Sequence, residues 1–166
     1  DNNDKMIQQR TYNPLRLMVL KLGFTEPAWT SPWNYQKSCQ EDNNNNNNNN
    51  DNTPTSLGVF TCAFCGYKLF DGTSKYDSGS GWPSFWRSYD NGAVALKREW
   101  DGRVECRCGR CQSHLGHVFM DGPPKTETFQ TKHKQLFDEI PESDPTNKSR
   151  LPRFCINGAS LRFDKE

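Results

Sequence analysis

Seven cysteines and three histidines carry most of the reactive chemistry in this 166-residue chain. Four of the thiols form two Cys-x-x-Cys pairs, Cys62/Cys65 and Cys108/Cys111. Each such turn can present two thiolates to one ion at tetrahedral angles. Two turns together complete a four-sulfur zinc site with no open position. The gap from Cys65 to Cys108 exceeds that of a simple zinc ribbon, so folded structure must lie between the pairs. A redox Cys-x-x-Cys would sit in a βαβ pattern, which is absent. A local site of Cys108, Cys111, His114 and His117 fails because the chain from Cys111 to His114 is too short. The histidines are therefore left for other work, and a ring that titrates near neutrality suits proton transfer. Three thiols remain: Cys39, Cys106 and Cys155. Their odd number fits poorly with a closed disulfide framework. Cys155 lies in "RFCINGASLRF", where a thiolate among polar groups would be a soft nucleophile and a neutral thiol merely a small buried hydrophobe.

These groups must be positioned mainly by strands. Runs at Val59 to Cys62, Lys68 to Phe70, His117 to Phe119, Arg153 to Asn157 and Leu161 to Phe163 read as short strands. Val94 to Trp100 and Arg103 to Arg107 flank Asp101-Gly102, a hairpin signal whose two-residue turn would set Arg98 opposite Glu105. One helix is expected from Asn13, a capping residue, and Pro14 through Leu22, with Gly23 as its stop. The fold class is mainly β: antiparallel sheets with a few short helices, stabilised by a four-cysteine structural zinc site.

Lys and Arg number 21 against 20 Asp and Glu, a net charge of +1, which argues against a general nucleic-acid or membrane binder. Lys97, Arg98, Arg103, Arg107 and Arg110 are interrupted by Glu99 and Glu105, so a solvated surface is expected there. No long apolar run would span a membrane. A mean hydropathy of −0.97 says that part of the length is not core. Two stretches fit that description. Residues 37–56 contain an unbroken asparagine run, expected to be disordered, and residues 125–149 are rich in Lys, Thr, Glu and Asp. Residues 1–10 read as a tail and 11–166 as one domain carrying both insertions.

Three further segments, "GWPSFW" (81–86), "HLGHVFMDGP" (114–123) and "RFCINGASLRF" (153–163), resemble the methionine-R-sulfoxide reductase B family. "TEPAWTS" (25–31), "GVFTCAFCGYKLFDGTSKYDSGSGWPSF" (58–85) and "RCGRCQSHLGHVF" (107–119) extend the likeness. It covers residues 11–36, 58–124 and 150–166, and both suspected insertions fall outside it. The resemblance implies reduction of methionine-R-sulfoxide, free or in proteins, by Cys155 through a sulfenic acid. A non-catalytic zinc module recognising a protein partner is the alternative. The resemblance also implies that His117, ahead of His114, protonates the oxygen, and that Asn157 hydrogen-bonds within the site. Arg153 and Asp121 would hold its surroundings. Trp82 would pack on the substrate methyl group, with Phe85 beside it.

Many relatives carry a second cysteine just before "GWPSF", where this chain has Ser80. The usual disulfide to Cys155 is thus unavailable. Thioredoxin or another thiol could reduce the sulfenic acid directly, Cys39 could resolve it, or Cys106 could. The expected partners are oxidised methionine and such a thiol reductant, with no nucleic acid and no membrane. The expected form is a monomer, in the cytoplasm or an organelle that keeps thiols reduced.

Overall fold

The structure, a computed structural model, describes residues 13–35, 58–124 and 150–165. Cys39, the residue 1–10 tail and the 37–56 and 125–149 stretches lie outside the described residues. Helix α1 spans Pro14–Leu22. Asn13 caps it by accepting from the Leu15 and Arg16 N–H groups at 3.0 and 3.4 Å. Gly23 ends it in the left-handed conformation, its N–H bonded to Val19 O at 3.2 Å. Val19 and Leu20 are the buried residues of α1.

Among the described residues nine strands follow: β1 Val59–Cys62, β2 Lys68–Asp71, β3 Lys75–Tyr76, β4 Ser84–Phe85, β5 Val94–Arg98, β6 Val104–Cys108, β7 His114–Phe119, β8 Arg153–Ile156 and β9 Leu161–Asp164. They form a three-stranded sheet in the order β2-β1-β9 and a six-stranded sheet in the order β3-β4-β8-β7-β6-β5. Every pairing is antiparallel. Phe60, Phe70, Phe85, Phe154, Leu115, Ile156 and Leu161 belong to one buried core cluster drawn from both sheets. Phe70 of one sheet stacks on Phe85 of the other with ring centroids 4.3 Å apart, the offset geometry aromatic pairs favour.

The β5–β6 hairpin differs from the sequence expectation. Lys97, not Arg98, stands opposite Glu105, and Arg98 faces Val104. The loop has three residues, because Glu99 N–H still bonds Arg103 O at 2.8 Å. Gly102 has φ +88° while Asp101 has no positive φ, so one left-handed residue closes the turn where a two-residue turn would need two. β7 begins at His114, ahead of the expected start at His117. It absorbs an irregularity where Arg107 pairs with His114 and Cys106 with Gly116, leaving Leu115 as an extra residue.

Candidate active site

Cys155 occupies a central strand of the larger sheet. Across β8, Ser84 of β4 is its partner on one side and His117 of β7 on the other. The row continues through Glu105 to Lys97. Directly paired residues project from the same face, so a thiol, an imidazole and a carboxylate share one surface. Neighbouring Phe154 and Ile156 are buried in the core.

Ser80 Oγ lies 3.9 Å from Cys155 Sγ. It belongs to a hydroxyl cluster, with Ser78 Oγ 2.9 Å from Ser80 and 2.7 Å from Ser84. Burial pushes the Cys155 thiol above its ordinary value, while Ser80 and the Arg153 guanidinium pull it back. Arg153 is gripped by Asp121 through two hydrogen bonds of 2.8 and 2.9 Å, which lower the Asp121 carboxyl. A cavity of about 720 Å³ runs past Tyr76, Ser80, Trp86, Asp121 and Arg153. Cys106, by contrast, is fully buried in the core cluster, and desolvation drives its thiol well up.

Both histidines lean on carboxylates. His114 Nδ1 is 2.7 Å from Glu105 Oε1, and His117 Nε2 is 2.9 Å from Glu99 Oε2. Burial lowers His114, against the pull of Glu105. Burial would raise Glu105, but hydrogen bonds from Arg107 and His114 bring it below its ordinary value. Both directions favour an uncharged ring beside an ionised carboxylate. The two rings stand 5.6 Å apart, edge to face.

The remaining expected site residues take distinct places. Asn157 is buried and spends its amide on Leu115 O at 3.0 Å and on the Glu26 N–H, also at 3.0 Å. Trp82 is half-buried, and its indole N–H donates to Glu26 O at 3.0 Å. Phe85 corrects the expectation of a substrate contact: it is 0% exposed, sealed in the core by Phe60 and Phe70. Glu26, which the residue types alone did not single out, joins these parts. Its carboxylate accepts from the Gly158 and Ala159 N–H groups just after Asn157. Glu99 and Glu105 had read as surface charges. Their link to the histidines comes from strand pairing, which residue types do not reveal.

The four paired cysteines converge. Cys62 ends β1 and Cys108 ends β6, so the cluster joins the two sheets. The two turns share one hydrogen-bond scheme. Gly66 N–H bonds Cys62 O at 2.8 Å, and Gln112 N–H bonds Cys108 O at 2.9 Å. All four sulfurs lie within 4.8 Å of one another, with Cys62–Cys111 at 3.7 Å and Cys65–Cys108 at 3.6 Å. Four thiolates about 2.3 Å from one tetrahedral ion would be about 3.8 Å apart, so the donor set fits zinc.

Residues 19–135 match the SelR domain family. A peptide methionine sulfoxide reductase MsrB of Pseudomonas paraeruginosa is 37% identical over 151 residues, covering 87% of this chain and 80% of that protein. One from Methanosarcina barkeri is 41% identical over 112 residues, covering 66% of this chain and 62% of its own length. One from Leptospira interrogans is 38% identical over 112 residues, covering 66% and 67%.

Proposed function

The chain belongs to the methionine sulfoxide reductase B family, and from that membership we infer a thiol-dependent enzyme that reduces methionine-R-sulfoxide to methionine with Cys155 as its nucleophile. The observation that carries the role of Cys155 is its cross-strand pairing with His117 on one face of the sheet. The Cys155 thiolate attacks the substrate sulfur while His117 gives a proton to the sulfoxide oxygen. The oxygen passes to Cys155 as a sulfenic acid, two electrons pass to the substrate sulfur, and methionine leaves. Trp82, pinned through its indole N–H, offers an aromatic face to the substrate methyl group. Arg153, held by Asp121, stabilises negative charge on Cys155. His114 ties β7 to β6 through Glu105, and Asn157 ties the end of β8 to β7 through Leu115 O. The cavity beside Ser80 and Arg153 is roomy enough for the polypeptide flanking an oxidised methionine.

Recycling uses an external thiol, thioredoxin or a smaller one. One thiol condenses with the sulfenic acid to a mixed disulfide and water. A second thiol then releases Cys155 and a free disulfide. Cys39 is the internal alternative, whereas the burial of Cys106 argues against a part for it. The four-thiol cluster would hold zinc, which supplies a structural cross-link between the sheets. Chemistry that needs a free thiol suits a cytoplasmic or organellar interior that keeps cysteines reduced. Among the described residues no helix is long and apolar enough to cross a membrane.

The test is turnover of methionine-R-sulfoxide with a thiol donor by wild type and Cys155→Ser. The variant should keep its fold and zinc content and lose activity to background. Retained turnover would overturn the assignment.

A further inference from the structure

We propose that Glu99 is a positioning residue of this site, its carboxylate holding Nε2 of His117 so that Nδ1 is the nitrogen that serves the substrate. The proposal rests on His117 being the proton donor to the sulfoxide oxygen. The Glu99–His117 contact is 2.9 Å, and the two side chains are 28% and 14% exposed, sheltered enough for a defined geometry. An imidazole has two nitrogens, and the bond made by one decides the role of the other. With Nε2–H donating to Glu99, the charged ring has only the Nδ1 proton to give. The ring it leaves behind is a single neutral tautomer.

The hairpin loop makes this reach possible. Glu99 follows β5, while His117 lies on β7 with β6 between them. The three-residue loop leaves Glu99 opposite Arg103, whose guanidinium reaches the same carboxylate oxygen, Oε2, at 3.3 Å. Lys97, two residues before Glu99, lies in the row of Glu105, His117 and Cys155. A two-residue loop would slip the pairing by one residue and turn Glu99 to the opposite face. His114 is the more enclosed ring, its side chain 6% exposed, its Nδ1 on Glu105 and its Nε2 buried. A polar cavity of about 380 Å³ touches Lys97, Glu99, Arg103, Glu105, His114 and His117. Water there can return a proton to the ring between turnovers.

The experiment compares wild type with Glu99→Gln, His117→Asn and the double variant. It follows single-turnover formation of methionine from methionine-R-sulfoxide, and the nitrogen-15 spectrum of the His117 ring. His117→Asn should abolish most of the rate. Glu99→Gln should lower the single-turnover rate constant about tenfold with substrate affinity within about twofold, at unchanged melting temperature. Adding Glu99→Gln to His117→Asn should cost nothing further, because Glu99 acts only through that ring. Neutral His117 should carry its proton on Nε2 in wild type and on a mixture of both nitrogens in Glu99→Gln. A wild-type rate in Glu99→Gln, a further loss in the double variant, or an unchanged ring spectrum would overturn the proposal. A wild-type rate in His117→Asn would instead sink the prior reading of His117, a separately visible failure.

Discussion

Cys155 and His117 face each other directly across the β7–β8 ladder, and Ser84 backs Cys155 from the other side. Opposed positions in an antiparallel pair hold their side chains about 5 Å apart at Cβ without any loop to set the distance. The two residues proposed to react are therefore placed by the backbone pairing of neighbouring strands in the larger sheet.

The first prediction concerns pH. Burial raises the Cys155 thiol, and the Ser80 hydroxyl and the Arg153 guanidinium only partly offset it. Raising the value favours the neutral thiol, so the reactive thiolate is the minor form at neutral pH and grows as pH rises. Alkylation of Cys155 in the zinc-loaded protein should still be accelerating above the usual cysteine range of about pH 8.5. Arg153→Met removes a favourable positive charge and should move the curve to still higher pH. Peptide-resolved mass spectrometry of the alkylation rate checks this, and a plateau near neutrality contradicts it.

The second concerns Ser80. Its Oγ is 3.9 Å from the Cys155 sulfur, so a sulfur in its place would stand within reach of a disulfide after small rotations. Ser80→Cys treated with one equivalent of sulfoxide should form a disulfide between position 80 and Cys155. Wild type should instead hold a sulfenic acid that a dimedone-type probe traps. Failure of the variant to cross-link would mean that the two backbones are set wrongly for exchange.

The third concerns Gly116, between the two histidines. A Cβ here would overlap the Cys155 carbonyl and crowd Ile156. Gly116→Ala should cost about 3 kcal/mol of stability or more. It should also slow turnover by prising β7 from β8, which chemical denaturation and activity measured together would show. Normal activity at normal stability would contradict the packing.

The fourth concerns the metal. Cys65→Ser leaves three thiols where four converge, and a strong chelator removes the ion altogether. Either should lower the zinc content and abolish cooperative unfolding, since structural zinc contributes roughly 10 kcal/mol or more to such sites. Metal analysis with circular dichroism decides it, and a chelated protein with an unchanged melting curve would show that the core alone holds the sheets together.

Much of this architecture is readable from residue types because its signals are local. Asn13, Pro14 and Gly23 mark α1 at both ends, and the Cys-x-x-Cys spacings mark the cluster that joins the sheets. The two-residue strands β3 and β4 carry no such signal, being too short to show alternation. The hairpin register is lost for a related reason. Asp101-Gly102 announces a turn, but whether Trp100 belongs to it depends on which residue takes positive φ. That one-residue ambiguity hides the facing of Glu99 toward His117, while the contact of Glu105 with His114 depends on the irregular β6–β7 pairing. Phe85 reads as a site residue because it adjoins Trp82, yet it belongs to β4 and is buried in the core.

The unpaired Leu115 in β7 has a consequence for how the surface is furnished. His114 and His117 are an odd number of positions apart, and uninterrupted pleating would send one of them inward. The extra leucine restores the parity: with Leu115 set outside the ladder, His114 opposite Arg107 and His117 opposite Glu105 stand two pairs apart on one face. A flaw in the weave is what lets both rings look out of the same window.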